Sequence, residues 1–287
     1  MDDSPARSPQ HGRLHALRRL ERARPRVDHA GARPGPPQPG RRARAEARLR
    51  PVLARGTAGA AARGAAGVKT VGAITIGQTP RDDIVGEMAT LLEGVRIVQA
   101  GALDGLTRTE IDALAPAPGD DDALITHLRD DGEVLVAKRR IVPRIQACID
   151  RLADEADAFA ILCAGVFPPF RSARPVLLPE RCLAAVVDAA FDGGRLGVIV
   201  PIKEQQASSA ARWSRVDPGV MVTVASPYDE PSRLIAAAEE LHRARATLIV
   251  MECQGFTRTM KQVVRDVTGA PALLPASVLA RFLAELA

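Results

Sequence analysis

The sequence predicts an α/β protein of two similar lobes, each a parallel sheet flanked by helices, with a cleft between the lobes. Three observations carry this. Short apolar runs alternate with segments of helical periodicity over residues 68–287. The apolar runs read as strands buried on both faces, the mark of parallel sheets. The order strand, helix, strand, helix, then a strand ending in Cys-x-Gly occurs twice, closing at Cys163 and at Cys253.

The elements follow in chain order. Residues 71–76 form a short apolar strand that ends at Gly77. In the turn after it, Thr79 suits an N-cap, Pro80 the first helical position, and Asp82 and Asp83 the positive end of a helix dipole. The helix is expected over 80–93, with Ile84, Val85, Met88, Leu91 and Leu92 on one face and Gly94 as its stop. Residues 95–99 are a second strand, running into Ala100-Gly101-Ala102-Leu103-Asp104-Gly105. Residues 123–138 read as a hairpin around Asp130-Asp131-Gly132. Ile141, Ile145, Ile149 and Leu152 then mark a helix whose apolar face also holds Cys148. Residues 158–163 are another buried strand, and a helix over 179–191 carries Cys182.

The second half repeats the plan. A strand over 196–200 ends at Pro201, and a polar helix with Glu204, Gln205 and Gln206 follows. A strand over 220–225 leads to Ser226-Pro227-Tyr228, then a helix over 231–244. Residues 247–252 form the strand before Cys253-Gln254-Gly255. A helix over 257–268 is closed by Gly269, and a short strand over 271–274 precedes a terminal helix.

Residues 1–67 are of another kind. Ala, Arg, Gly and Pro fill 46 of these 67 positions, and no aromatic residue occurs. Such a segment buries too little apolar surface to offset chain entropy, so disorder is expected. Its fifteen arginines against five acidic residues leave 68–287 with an excess of acidic over basic residues, 29 to 24. The overall charge of +5 is therefore no argument for nucleic acid, and eight aromatic residues in the whole chain offer no stacking platform. A basic arm or a targeting peptide would have this composition. An upstream reading frame of a GC-rich gene, translated before a start at Val68, would have it too, and 68–287 is expected to be the complete folded unit. No stretch approaches the ~20 apolar residues of a membrane helix. The four cysteines show no zinc spacing, which fits reduced thiols in the cytoplasm and no metal.

Ligands of open α/β sheets bind beyond the carboxyl ends of the strands, where Cys163 and Cys253 both fall. With a helix following each, dipoles and backbone N–H groups would lower the thiol pKa. Two such thiols facing across a cleft would work on opposite faces of one carbon, one removing a proton as thiolate and the other returning one as thiol. The competing reading is that both pack as small hydrophobes, as is expected of Cys148 and Cys182 in helix interiors. The turn Gly77-Gln78-Thr79-Pro80-Arg81 suits an anion such as a carboxylate, and a well-capped surface turn reads equally from it. Ser226 and Tyr228 are candidates for a polar wall or an ordinary strand-to-helix turn. His127 and His242 stand alone, and no nucleotide-binding glycine motif is present.

The blocks Thr75-Ile76-Gly77-Gln78-Thr79-Pro80-Arg81, Ala100-Gly101-Ala102-Leu103-Asp104-Gly105-Leu106, Gly197-Val198-Ile199-Val200-Pro201, Ser226-Pro227-Tyr228 and Glu252-Cys253-Gln254-Gly255-Phe256 resemble the AroM protein family over 68–287. That family is similar in plan to the aspartate/glutamate/hydantoin racemases, which use paired cysteines without a cofactor. Some of their relatives decarboxylate or isomerise instead. The resemblance implies a racemase-like, pseudo-duplicated fold with Cys163 and Cys253 in the two catalytic places. Gly77, Gln78, Thr79, Arg81, Gly165, Ser226, Tyr228, Gln254 and Gly255 are expected around a small carboxylate-bearing or hydantoin-like molecule. Those racemases carry Asn-Thr after the first cysteine and Thr-His after the second. Ala164-Gly165 and Gln254-Gly255 stand here instead, so the groups that hold substrate are missing or moved. A non-catalytic small-molecule binding or regulatory protein on the same fold is the alternative, and the sequence leaves a homo-oligomer open.

Overall fold

The structure, a computed structural model, describes residues 68–117, 123–130 and 132–287. The predicted disordered segment 1–67 and Asp131 of the hairpin turn lie outside the described residues. The first half runs β1 (Thr70–Thr75), α1 (Asp82–Ala89), β2 (Arg96–Gly101), α2 (Arg108–Asp112), β3 (Ala123–His127), β4 (Glu133–Ala137), α3 (Lys138–Arg151), β5 (Ala158–Leu162), β6 (Val176–Leu177) and α4 (Pro179–Ala190). The second runs β7 (Leu196–Val200), a 3₁₀ turn (Lys203–Gln205), α5 (Gln206–Trp213), β8 (Met221–Val224), α6 (Pro231–Arg243), β9 (Leu248–Met251), α7 (Arg258–Thr268), β10 (Ala272–Leu273) and α8 (Pro275–Ala284).

The strands form two four-stranded sheets, β2-β1-β5-β6 and β8-β7-β9-β10, with every pairing parallel. The two orders are the same plan, so the internal duplication is real at the level of topology. Each half places its first strand in the middle and its third strand beside it. β3 and β4 are an antiparallel hairpin inserted in the first half only.

Strand alternation explains why these segments read as unbroken apolar runs. Val71, Ala73, Ala160 and Leu162 of the first sheet and Leu196, Val198, Val200 and Val250 of the second share one cluster with Leu183 of α4 and Leu279 of α8. Residues of the opposite parity pack outward. Ile74, Phe159 and Ile161 meet Ile141, Ile145 and Ile149 of α3, while Ile199, Ile249 and Met251 meet Leu234 and Leu241 of α6 and Val264 of α7. Each Val, Leu, Ile, Phe or Met among these contributes about 1.5–3 kcal/mol through burial. The terminal helix α8 packs on α4 and α1 of the first lobe, and the Val68 N–H donates to the Leu286 carbonyl.

Two local expectations are corrected. The first helix starts at Asp82 with Arg81 at its N-cap and ends at Ala89, instead of spanning 80–93. Thr79 is no cap, because its N–H and hydroxyl both donate to the Asp104 carboxylate at 2.9 and 2.7 Å. Two short elements were not anticipated, α2 and the edge strand β6. The first is too brief for periodicity but carries a legible capping box, Thr107 with Glu110. Gly269 closes α7 in the left-handed conformation, as its position suggested.

Candidate functional site

The carboxyl ends of β1, β5, β7, β8 and β9 converge on one cavity of about 30 Å³ between the lobes. Cys163 follows β5 and Cys253 follows β9, topologically equivalent strands, and both thiols line it. Arg81, Gly165, Tyr228, Gln254 and Gly255 line it as well. Gly77, Gln78, Thr79 and Ser226, also expected around the ligand, are absent from its wall. An adjoining cavity of about 100 Å³ shares Gly165, Gln205 and Glu252 with it and continues to Lys138 and Arg212.

The 77–81 turn is organised by the protein's own groups. Asp104 takes the Thr79 donors, Thr75 takes the Gly77 N–H, and Gln99 takes the Arg81 N–H. The Gln78 side chain accepts from the Arg129 N–H. The donors read from sequence as an anion site are thus occupied by Asp104 and its neighbours. Gly77 has a packing reason: a Cβ there would lie 2.2 Å from Thr126 Oγ1 and 3.0 Å from the His127 carbonyl. Its bare backbone lets the hairpin cross over the turn.

Arg81 is the part of the turn that reaches the cavity. Its side chain is 8% exposed and grips both Asp83 oxygens, at 2.9 and 2.7 Å. It also donates to Tyr228 Oη at 3.0 Å, tying the first lobe to the second. Burial opposes the Arg81 charge, but Asp83 and Tyr228 outweigh it and hold the guanidinium firmly protonated. Burial likewise pushes the Tyr228 phenol up, against the pull of Arg81. Tyr228 stacks on His127 of the hairpin, with ring centroids 4.8 Å apart, and Ser226 Oγ accepts the Tyr228 N–H. Ser226 therefore positions Tyr228 from behind. A Cβ at Gly255 would meet Tyr228 Oη at 2.4 Å, so that glycine makes room for the ring.

The two thiols share one local geometry. In each Cys-x-Gly segment the glycine N–H faces the sulfur, from Gly165 to Cys163 and from Gly255 to Cys253. The expected lowering of the thiol pKa is nevertheless overturned. Burial dominates and pushes Cys163 up to about 11 and Cys253 up to about 12, with Cys163 adding to the rise at Cys253. The glycine N–H groups and Arg81 pull both down but do not prevail. A helix dipole is missing at Cys163, because a loop and β6 follow it instead of a helix. At Cys253 the next helix begins only at Arg258, capped by Thr257. Cys148 and Cys182 are buried in the helix-facing clusters, as expected. Alkylation of Cys163 and Cys253 by an iodoacetamide pulse should therefore rise roughly tenfold per pH unit above neutrality. It should level off only near the raised values, well beyond the ~8.5 of a free thiol. Mass spectrometry of each cysteine checks this, and a plateau at or below pH 8.5 would show that burial does not control them.

Sequence reasoning missed three polar residues of the wall. Glu252 is buried at the end of β9 and accepts from Ser209 Oγ at 2.7 Å, from Trp213 Nε1 at 2.6 Å and from Arg212 Nη2. An acidic residue ending an apolar strand was the available signal. Gln205 donates to the Ala123 carbonyl at 3.1 Å and so holds the hairpin to the second lobe. Thr126 is the inward-facing polar residue of β3, and only strand alternation hinted at it. Among the described residues, no group of three or more His, Cys, Asp or Glu side chains is disposed to hold a metal ion, and no helix is long and apolar enough to cross a membrane.

Two parallel sheets of one repeated order, meeting at a shared cleft, make this a racemase-like α/β fold. The structure is similar to that of the allantoin racemase from Pseudomonas fluorescens, at 11% sequence identity and a TM-score of 0.51, covering 76% of this chain and 90% of that one. The allantoin racemase from Klebsiella pneumoniae (12% identity, TM-score 0.49) and the glutamate racemase from Aquifex pyrophilus (13%, 0.49) match 76% of this chain and 86% and 84% of their own. The chain belongs to the AroM protein family, whose model matches residues 71–287. No curated protein matches it in sequence.

Proposed function

We propose that this protein is a cofactor-independent racemase or isomerase that moves a proton at a carbon beside a carboxylate or ring carbonyl, with Cys163 and Cys253 as its acid–base pair. The carrying observation is that two thiols from equivalent strands, each faced by a glycine N–H, line one cavity. The fold is shared with an allantoin racemase, but at 11% identity the residues themselves must make the case. In the step, one sulfur as thiolate takes the proton from carbon, and the electron pair moves onto the adjoining carbonyl oxygen. The other thiol then gives its proton to the opposite face. The two sulfurs exchange protonation states and reset through solvent. Arg81 favours the thiolate at either position and stands beside the developing negative charge.

A second reading, a small-molecule binding or regulatory protein, is favoured by the desolvation that pushes both thiols up. Turnover in D₂O separates the two. A panel of amino acids, hydantoins and small dicarboxylates is incubated with protein and followed by NMR and chiral chromatography. The catalytic reading expects deuterium at the carbon that loses its configuration. Tight binding of a panel member with no exchange of that hydrogen would make the protein a binder.

A further inference from the structure

We propose that Gln254 and Thr126 together read the amide edge of the substrate, an N–H beside a C=O, so that the ligand is a neutral lactam, imide, cyclic ureide or carboxamide and not a free carboxylate. This rests on the site assignment above and names the substrate class for it.

Gln254 is 4% exposed and lines the cavity with both thiols, and neither Nε2 nor Oε1 has a hydrogen-bond partner among the described residues. Thr126 is 2% exposed on the same wall, and its Oγ1 is also unpartnered. Buried polar groups are almost always satisfied, and an orphaned amide is among the more costly exceptions. The three orphaned atoms belong to two residues of one cavity wall, and a ligand seated between them can satisfy them together. A primary amide carries a donor and an acceptor side by side, and its complement is another amide edge with the two reversed. The Thr126 hydroxyl adds one contact that donates or accepts as required.

Charge points the same way. Arg81 is the one cationic side chain on this cavity wall among the described residues, and Asp83 pairs its charge through Nε and Nη2. A carboxylate entering the cavity would find that charge already paired by Asp83, whereas a neutral amide needs no counter-charge. The adjoining cavity beyond Gln205 and Glu252 gives a substituent on the amide somewhere to go.

The test compares succinimide, 2-pyrrolidone and 5-methylhydantoin with succinate and alanine, using calorimetry and thermal melting of the full chain. The amide-edge probes should bind and raise the melting temperature, and the carboxylates should not. Gln254→Leu should weaken amide binding roughly tenfold or more, the loss of one to two hydrogen bonds. The same variant should melt no lower than the unsubstituted chain without ligand, because it removes an unsatisfied buried group. Thr126→Val should repeat both results more weakly, independently of the first. Carboxylates binding in preference to amides, amide affinity unchanged in Gln254→Leu, or no probe binding at all would each overturn the proposal. Amide binding without hydrogen exchange would leave it standing while the catalytic reading fell. Exchange on a carboxylate substrate, undisturbed in Gln254→Leu, would do the reverse.

Discussion

Cys163→Ser and Cys253→Ser should each slow racemisation by roughly 10²–10⁴-fold, the usual contribution of a positioned proton-transfer group. Serine keeps the shape of the side chain, but its hydroxyl is a far weaker base at neutral pH, so the loss is chemical and not steric. The two variants should fail differently. Each retains one thiol on one face of the carbon, so each should still exchange the hydrogen of one enantiomer with solvent deuterium while racemising neither. Cys148→Ser and Cys182→Ser stand away from the cavity, in the clusters under α3 and α4, and should leave exchange per folded molecule unchanged. The assay follows deuterium incorporation from each pure enantiomer. Loss confined to one cysteine would point to single-thiol chemistry, and no loss in either would remove the thiols from the reaction. Because both thiols are pushed up by burial, the surviving exchange should climb with pH through the range up to about 11 or 12.

The strands were legible because both of their faces are buried, which writes each one as an unbroken apolar run. Residues 196–200 are read to the residue, and the repeated Cys-x-Gly ending shows which strands are equivalent. The helix after β1 was misread for a reason the chain hides. Thr79-Pro80 looks like a helix start until Asp104, 25 residues later, takes the Thr79 donors. The same long-range partner occupies the expected anion turn, and no local pattern announces it. Gly77 and Gly255 were expected around the ligand, and the structure gives each a packing reason. Each is small because Thr126 in one case and Tyr228 in the other presses against it. Thiol acidity was misjudged because sequence shows which residue ends a strand but not how much water reaches it. Helix proximity was weighed there, and burial decides.

The polar groups that the resemblance marked as missing or moved bear on the same point. Ala164-Gly165 after the first cysteine brings no polar side chain to the cavity, but Thr126 of the inserted hairpin is a polar residue of the same wall. The hairpin has no counterpart in the second half, so the duplication is broken at this wall. His127 on Tyr228 and Gln205 on Ala123 fasten that hairpin to the second lobe, which completes the wall only when the lobes are together.

Glu252→Ala should be the most destabilising of the cavity-wall substitutions. The carboxylate is 7% exposed and collects three donors, from Ser209, Trp213 and Arg212, all carried on α5. It thereby fastens α5 to the end of β9, one residue before Cys253. Removing it strands the Trp213 N–H in the core and leaves the Arg212 charge without its partner. Breaking a buried pair from one side costs about 3–5 kcal/mol, and because Arg212 retains some contact with water the lower end applies, about 3 kcal/mol. For a folded unit of this size that is a fall in melting temperature of roughly 6–12 °C. Glu252→Gln keeps an acceptor for Trp213 and should lose less. Replacing both partners, as Glu252→Leu with Arg212→Met, should recover much of the loss, because no unpaired charge remains. Calorimetric melting of the four proteins checks the order. A drop of less than about 2 °C in Glu252→Ala would show that water already shares this carboxylate, and that Cys253 does not depend on it for its place in the cavity.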